Sequence, residues 1–294
     1  MNKIKDYLQL VKLSLSIMVV FSSVISYLLA PKVVEFDWVM IGLLFVGGML
    51  VTGSANAINQ VVEKDTDAMM KRTAKRPVAA GRMSVQEGWA FAVITGVLGI
   101  LILGYYFNPL SAALAAFSLF LYAFIYTPLK KINSIAVLVG AIPGALPCLI
   151  GWAAGNDSLS TGGWVLFGLQ FLWQFPHFWA IAWIAHTDYS TAGFKLLPSD
   201  KGPTKFTAVQ TVIYSLLLFP VTMLPFFIGM CTFDNIKGII GLVLVLSANV
   251  FMLMRCIGLY QKMDISSARK VMFGSYLYLP VVLLALLMSK TPIP

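Results

Sequence analysis

Three oxygen-bearing side chains recur at four-residue intervals near the start of this chain: Asn59, Glu63 and Asp67, within Asn56-Ala57-Ile58-Asn59-Gln60-Val61-Val62-Glu63-Lys64-Asp65-Thr66-Asp67. At about 100° per residue they fall near 0°, 40° and 80° around a helix, with Asn56 near 60°, so one stripe carries all four. Asp65 falls at roughly 240°, off that stripe. Two carboxylates and an amide supply the few hard oxygens that a divalent cation such as Mg²⁺ takes from a protein, leaving positions for water and a substrate phosphate. A row of solvated residues at a helix end is the plainer reading. The repeated spacing beside an apolar run weighs against it, because polar side chains near membrane depth are functional candidates.

The next residues are Lys71-Arg72-Thr73-Ala74-Lys75-Arg76-Pro77, which with Lys64 and Arg82 make the densest basic stretch of the chain. Membrane topology alone would account for such a run. Its position beside the carboxylates adds a second reading, since a guanidinium fork matches phosphate oxygens and a carboxylate-held metal would bridge them. On that reading Arg72, Arg76, Lys71 and Lys75 bind a diphosphate.

A second constellation reads Trp173-Gln174-Phe175-Pro176-His177-Phe178-Trp179, running on to Trp183, His186, Asp188 and Tyr189. A His inside an apolar span is costly unless it has a partner or a use. His177 is therefore either a structural residue bonded to a neighbouring helix or a catalytic one. The rings from Phe171 to Trp183 read as an interfacial belt or as the wall of a flat-substrate pocket, where their faces would stabilise a cation. Pro176 predicts a kink with freed backbone carbonyls.

These groups must be held by membrane helices. Of 294 residues, 59% are hydrophobic and 11% charged, with a mean hydropathy of +0.84, against roughly 25% charged in a soluble domain. Apolar runs at 13–30, 38–61, 88–107, 110–127, 134–154, 163–185, 206–229, 236–256 and 270–289 predict an all-α polytopic fold of nine transmembrane helices. Strands are excluded by the missing period-2 alternation. With the N-terminus cytoplasmic, the C-terminus lies outside and only Lys32, Lys237 and Lys290 of the 21 basic residues fall outside. The net charge of +9 is thus topological and implies no nucleic acid. The first run is too long for a signal peptide and reads as an uncleaved helix. Residues 1–294 form a single domain, with two long inner connections four helices apart that suggest duplication of a four-helix unit, helices 1–4 and 5–8, plus helix 9. Cys148, Cys231 and Cys256 read as packing residues. No Walker A loop, GxGxxG, HExxH or GxSxG is present, so ATP use, dinucleotide binding and zinc proteolysis are unsupported.

The stretch Asn59-x3-Glu63-x3-Asp67 followed by Lys71-Arg72-Thr73-x2-Arg76-Pro77 resembles the first motif of the intramembrane prenyltransferases related to 4-hydroxybenzoate polyprenyltransferase. Trp173-Gln174-x-Pro176-His177 through Asp188-Tyr189-x3-Gly193-Phe194 and Leu197-Pro198 is similar to one branch of them, the protoheme IX farnesyltransferases. The resemblance spans the whole helical layout. It implies transfer of a farnesyl group from farnesyl diphosphate to the 2-vinyl group of heme B in the bacterial cytoplasmic membrane, with water added to give heme O. It implies Mg²⁺ at Asn59, Glu63 and Asp67, and an acceptor region at His177, Trp173, Gln174, Asp188 and Tyr189. Heme A synthase or a terminal oxidase are the partners it implies. The chain departs from the wider family in carrying Glu63 where Asp is usual, and His177 then Asp188 where an Asp-rich pair is usual. The His suits a tetrapyrrole better than a phenol. A quinone precursor as acceptor, or a secondary transporter, are the competing expectations; a transporter would place its polar residues near the midplane rather than at one face.

Overall fold

The computed structural model describes residues 3–199 and 201–292, and the described residues are mostly helical, with long connections only after α4 and α10. In chain order the helices are α1 (Lys3–Leu10), α2 (Leu13–Leu29), α3 (Trp38–Val62), α4 (Lys64–Met69), α5 (Val85–Tyr106) and α6 (Pro109–Phe120). A π-helical segment (Leu121–Tyr126) and α7 (Thr127–Leu129) extend α6. Then follow α8 (Ala136–Asn156), α9 (Thr161–Ile184), α10 (His186–Thr191), α11 (Lys205–Phe227), α12 (Ile236–Lys262) and α13 (Ile265–Met288).

Seven of these segments are long and apolar enough to cross a membrane, and α1 with α2, bent by 47°, makes an eighth if the pair is one span. The nine apolar runs of the sequence each coincide with a long helix among the described residues, but α9 does not meet the same apolarity test. Its glutamines, histidine and tryptophans lower its hydropathy. Those residues face protein: Gln170, Gln174, His177, Trp179 and Trp183 are all buried.

Helix starts are set by caps. Asp37 accepts from the Val39 and Met40 amides at 2.9 and 3.1 Å, and Asn108, Ser84, Thr204, Asn235 and Asp264 cap α6, α5, α11, α12 and α13 in the same way. Each cap satisfies amides that lipid would otherwise leave bare. At Asp264, outside the spans, the bonds from Ser267 hold the carboxyl below its usual range.

The helices pack in a closed ring of which α8 is the most enclosed member. Within its apolar window α8 is 78% buried, against 28% for α3. It packs on α2, α6 and α9, and α13 returns to α2 to close the ring. Close approach of α2 to α8 depends on Gly151, where a Cβ would run into the Ser23 carbonyl. Pro147 frees the Pro143 carbonyl within α8, and the Ser118 hydroxyl donates to it at 3.3 Å. The three cysteines are free and buried, and burial pushes the Cys231 thiol, in the connection after α11, up to about 12. They are packing residues, as their isolation in sequence indicates.

Candidate active site

The polar stripe of the sequence is not one continuous helix. Helix α3 ends at Val62, Glu63 has φ −94° and ψ 14°, and Asp67 belongs to the short α4. The four-residue spacing survives the break, and Asn59, Glu63 and Asp67 are all buried, at 2, 5 and 0% exposure. Each is engaged by a cation. Lys130 Nζ lies 2.8 Å from Glu63 Oε1, Arg76 Nη1 donates to both Asp67 oxygens at 2.6 and 2.7 Å, and Lys12 Nζ donates to Asn59 Oδ1 at 3.2 Å. Burying charge this deeply is tolerable only when it is paired.

Asn56 has a different job from Asn59. Its Nδ2 donates to Val11 O at 3.0 Å, and Gln60 Nε2 donates to Gln9 O and Leu10 O at 3.0 and 2.9 Å. These carbonyls are released where α1 breaks from α2, at Lys12 with its left-handed φ of 50°. Two amides one turn apart on α3 thus stabilise the bend that presents Lys12 to Asn59.

Lys130 and Lys12 were not singled out among the site residues by sequence, because inner basic residues are expected on topological grounds. The signal available for Lys130 was its place four residues after Tyr126. Pro128 cannot donate to the turn before it, the helix opens into the π segment, and Thr127 Oγ1 takes the Tyr122 carbonyl at 2.8 Å. The Lys130 ammonium then sits 4.6 Å from the Tyr126 ring and 5.7 Å from that of Phe194.

The basic stretch divides. Arg76 belongs to the buried cluster, while Lys71, Arg72 and Lys75 are exposed. Arg82 serves structure, bonding Asp6, Gln9 and the Lys75 carbonyl. Arg72 reaches the second long connection, with Nη2 3.3 Å from the Tyr189 hydroxyl and its guanidinium 5.8 Å over that ring. Met70, Ala192 and Phe194 pack together behind this contact. Gly193, at φ 75°, turns the chain after α10 so that Phe194 returns to the cluster. A pocket of about 310 Å³ lies beneath this connection, lined by His186, Tyr189, Phe194 and Lys195 among others. Asp188 stands in the first turn of α10, partly exposed.

His177 lies on α9 against α13. Its Nδ1 is 2.7 Å from Ser275 Oγ, its ring stacks on Trp173 at 4.9 Å, and the Tyr276 ring meets it edge-on at 5.1 Å. Trp173 Nε1 donates to Ser275 O at 3.0 Å. Gln174 faces the other way, donating to Ala141 O of α8 at 3.0 Å. Phe175, Trp179 and Trp183 are buried and so pack in protein rather than in a lipid belt.

The donor chemistry fits a hard cation: oxygen only, from two carboxylates and an amide, and the Asn59 Nδ2 atom of that amide is buried without a hydrogen-bond partner. Among the described residues no group of three or more His, Cys, Asp or Glu side chains is gathered as an all-protein metal site. A metal here would depend on ligands from water and substrate.

The model of the UbiA prenyltransferase family matches residues 19–279. The chain belongs to that family. It is an integral membrane prenyltransferase, consistent with its apolar helices. A protein of Cytophaga hutchinsonii named protoheme IX farnesyltransferase is 40% identical over 289 residues, covering 98% of this chain and 99% of its own. One of the same name from Solibacter usitatus is 35% identical, covering 97% and 99%. Among solved structures, a digeranylgeranylglyceryl phosphate synthase superposes with a TM-score of 0.78 at 20% identity, covering 98% of this chain and 99% of that one. A UbiA homolog from Archaeoglobus fulgidus bound to GPP and Mg²⁺ gives 0.74 at 13% identity, covering 96% and 99%. Both share the fold.

Proposed function

We propose that this UbiA-family enzyme transfers the farnesyl group of farnesyl diphosphate to the 2-vinyl group of heme B, with addition of water, giving heme O and diphosphate. The observation that carries the choice of substrates is the 35 to 40% identity, over nearly the full length, to relatives named protoheme IX farnesyltransferase. The Archaeoglobus homolog's GPP and Mg²⁺ support Mg²⁺ dependence.

Asn59, Glu63 and Asp67 would hold Mg²⁺, which when bound neutralises the diphosphate as a leaving group. Arg76, Lys130 and Lys12 lie within bonding reach of those same oxygens, so they stand where a diphosphate bridged to the carboxylates would meet them. Arg72, Lys71 and Lys75, exposed in the connection after α4, would receive the diphosphate first. The allylic C–O bond breaks, and diphosphate leaves with the electron pair. The vinyl π electrons form the new C–C bond, and water adds at the ring-adjacent carbon and loses a proton to leave a hydroxyl. His177, Trp173 and Tyr189, with Gln174 and Asp188 nearby, form the acceptor side.

The site faces the cytoplasm of a bacterial inner membrane, and nine spans leave the C-terminus outside. The clustering of basic residues supports this orientation: Lys12, Arg76, Arg82 and Lys130 gather at one end, whereas Lys32 pairs with Asp157, and Lys290 caps α2, at the other. Heme A synthase or a terminal oxidase would take the product.

Expression in cells that make heme B but no heme O, followed by mass spectrometry of extracted hemes, tests the reading. Heme O is expected with the wild-type chain and not with Glu63→Gln. Prenylated quinone precursor with no heme O would replace the acceptor.

A further inference from the structure

The partners of His177 determine which of its nitrogens is free. Ser275 Oγ is 2.6 Å from Met272 O, one turn back on α13, and 2.7 Å from His177 Nδ1. A hydroxyl has one proton and two lone pairs, and a backbone carbonyl only accepts. The Ser275 proton therefore goes to Met272 O. Were it given to the ring instead, two acceptor oxygens would face each other at 2.6 Å with nothing between them. A lone pair of Ser275 Oγ thus faces Nδ1, which must carry a proton and donate it. The neutral ring is left with an unprotonated Nε2. Nε2 makes no hydrogen bond among the described residues, and 8% of the residue's surface stays open. The ring is held by stacking on Trp173 and by the edge contact with Tyr276, and Trp173 also grips Ser275 through its carbonyl.

We propose that Ser275 is a positioning residue that holds His177 as a lone-pair donor, through Nε2, to the iron of a metalloporphyrin acceptor. The proposal rests on the reading of heme as acceptor. Imidazoles that ligate metals donate their other ring N–H to an oxygen, which fixes the tautomer and strengthens the ligand. Here that oxygen is a serine hydroxyl, itself oriented by a helix carbonyl. With Trp173 stacked on the ring and Nδ1 committed to Ser275, the in-plane Nε2 lone pair is the site the imidazole has left for a ligand.

The test uses the full-length protein in detergent, titrated with ferrous heme B and followed by absorption and by the resonance Raman iron–imidazole stretch. Wild type, His177→Ala, Ser275→Ala and Ser275→Thr are compared, with farnesyl diphosphate affinity measured on each as a report of the fold. Ser275→Ala is expected to bind heme about 10 to 100-fold more weakly, with the stretch moved to lower frequency. Ser275→Thr restores both, and His177→Ala abolishes the stretch, while farnesyl diphosphate affinity is unchanged throughout. A wild-type stretch and affinity in Ser275→Ala, with the stretch lost in His177→Ala, overturns the role of Ser275 alone. A wild-type spectrum in His177→Ala overturns the ligand assignment. Failure of the wild-type protein to bind heme overturns the acceptor reading beneath both.

Discussion

Glu63 and Lys130 are separated by 67 positions in sequence and by 2.8 Å in space, in surroundings that leave their side chains 6 and 9% exposed. Removing one partner of such a pair costs about 3–5 kcal/mol, most of it from the charge left behind. Lys130→Met should therefore lower the unfolding temperature in detergent, and Lys130→Met combined with Glu63→Gln should recover most of it without recovering farnesyl transfer. A double variant as unstable as Lys130→Met alone would show that packing, not charge, accounts for the loss. Asn59, Glu63 and Asp67 were legible in the sequence as candidates because they repeat at four-residue spacing, and Arg76 because it lies in the basic stretch beside them. Lys12 and Lys130 were not, because their partners are remote and their sign is what topology demands of any inner residue. Ser275 was equally hidden: a lone serine in an apolar run carries no sequence signal until the helix opposite it is known.

Among the elements, α8 positions both halves of the site, binding α2 on one side and α9 on the other. Its contact with α2 has no room for a side chain at Gly151, where the obstruction is the Ser23 backbone and cannot rotate away. Gly151→Leu is expected to destabilise by at least about 1–3 kcal/mol, read as a fall in unfolding temperature. Gly42, with open space around its position, should tolerate Ala. The apolar runs marked the long helices closely, since length and hydropathy are the physical requirement for a span. The second run stops at 61, just before the break at Glu63, but the four-residue spacing carried across it hid the break, and the π segment before Thr127 stayed hidden because it does not change the composition of its run. Those two irregularities are what aim Asp67 and Lys130.

For the molecule as a whole, the distribution of charge is testable without reference to chemistry. With the native cysteines buried, Lys71→Cys should react with an impermeant maleimide only in inverted membrane vesicles and Lys32→Cys only in right-side-out ones. The opposite pattern would invert the molecule. Lys32 lies 61% exposed in its pair with Asp157, so the label can reach it. The ring itself closes late in the chain: α13 supplies Ser275 to His177, and Lys290 Nζ donates to the carbonyls of Leu28, Ala30 and Val33 at 2.7, 2.9 and 2.6 Å. A nascent chain that has inserted everything up to Lys262 still has His177 without its serine and the end of α2 without its ammonium. Synthesis from the N-terminus therefore makes the donor residues early and completes the acceptor side last, so, on the role proposed for Ser275, a ribosome-bound or truncated product would hold free porphyrin more weakly than the whole enzyme.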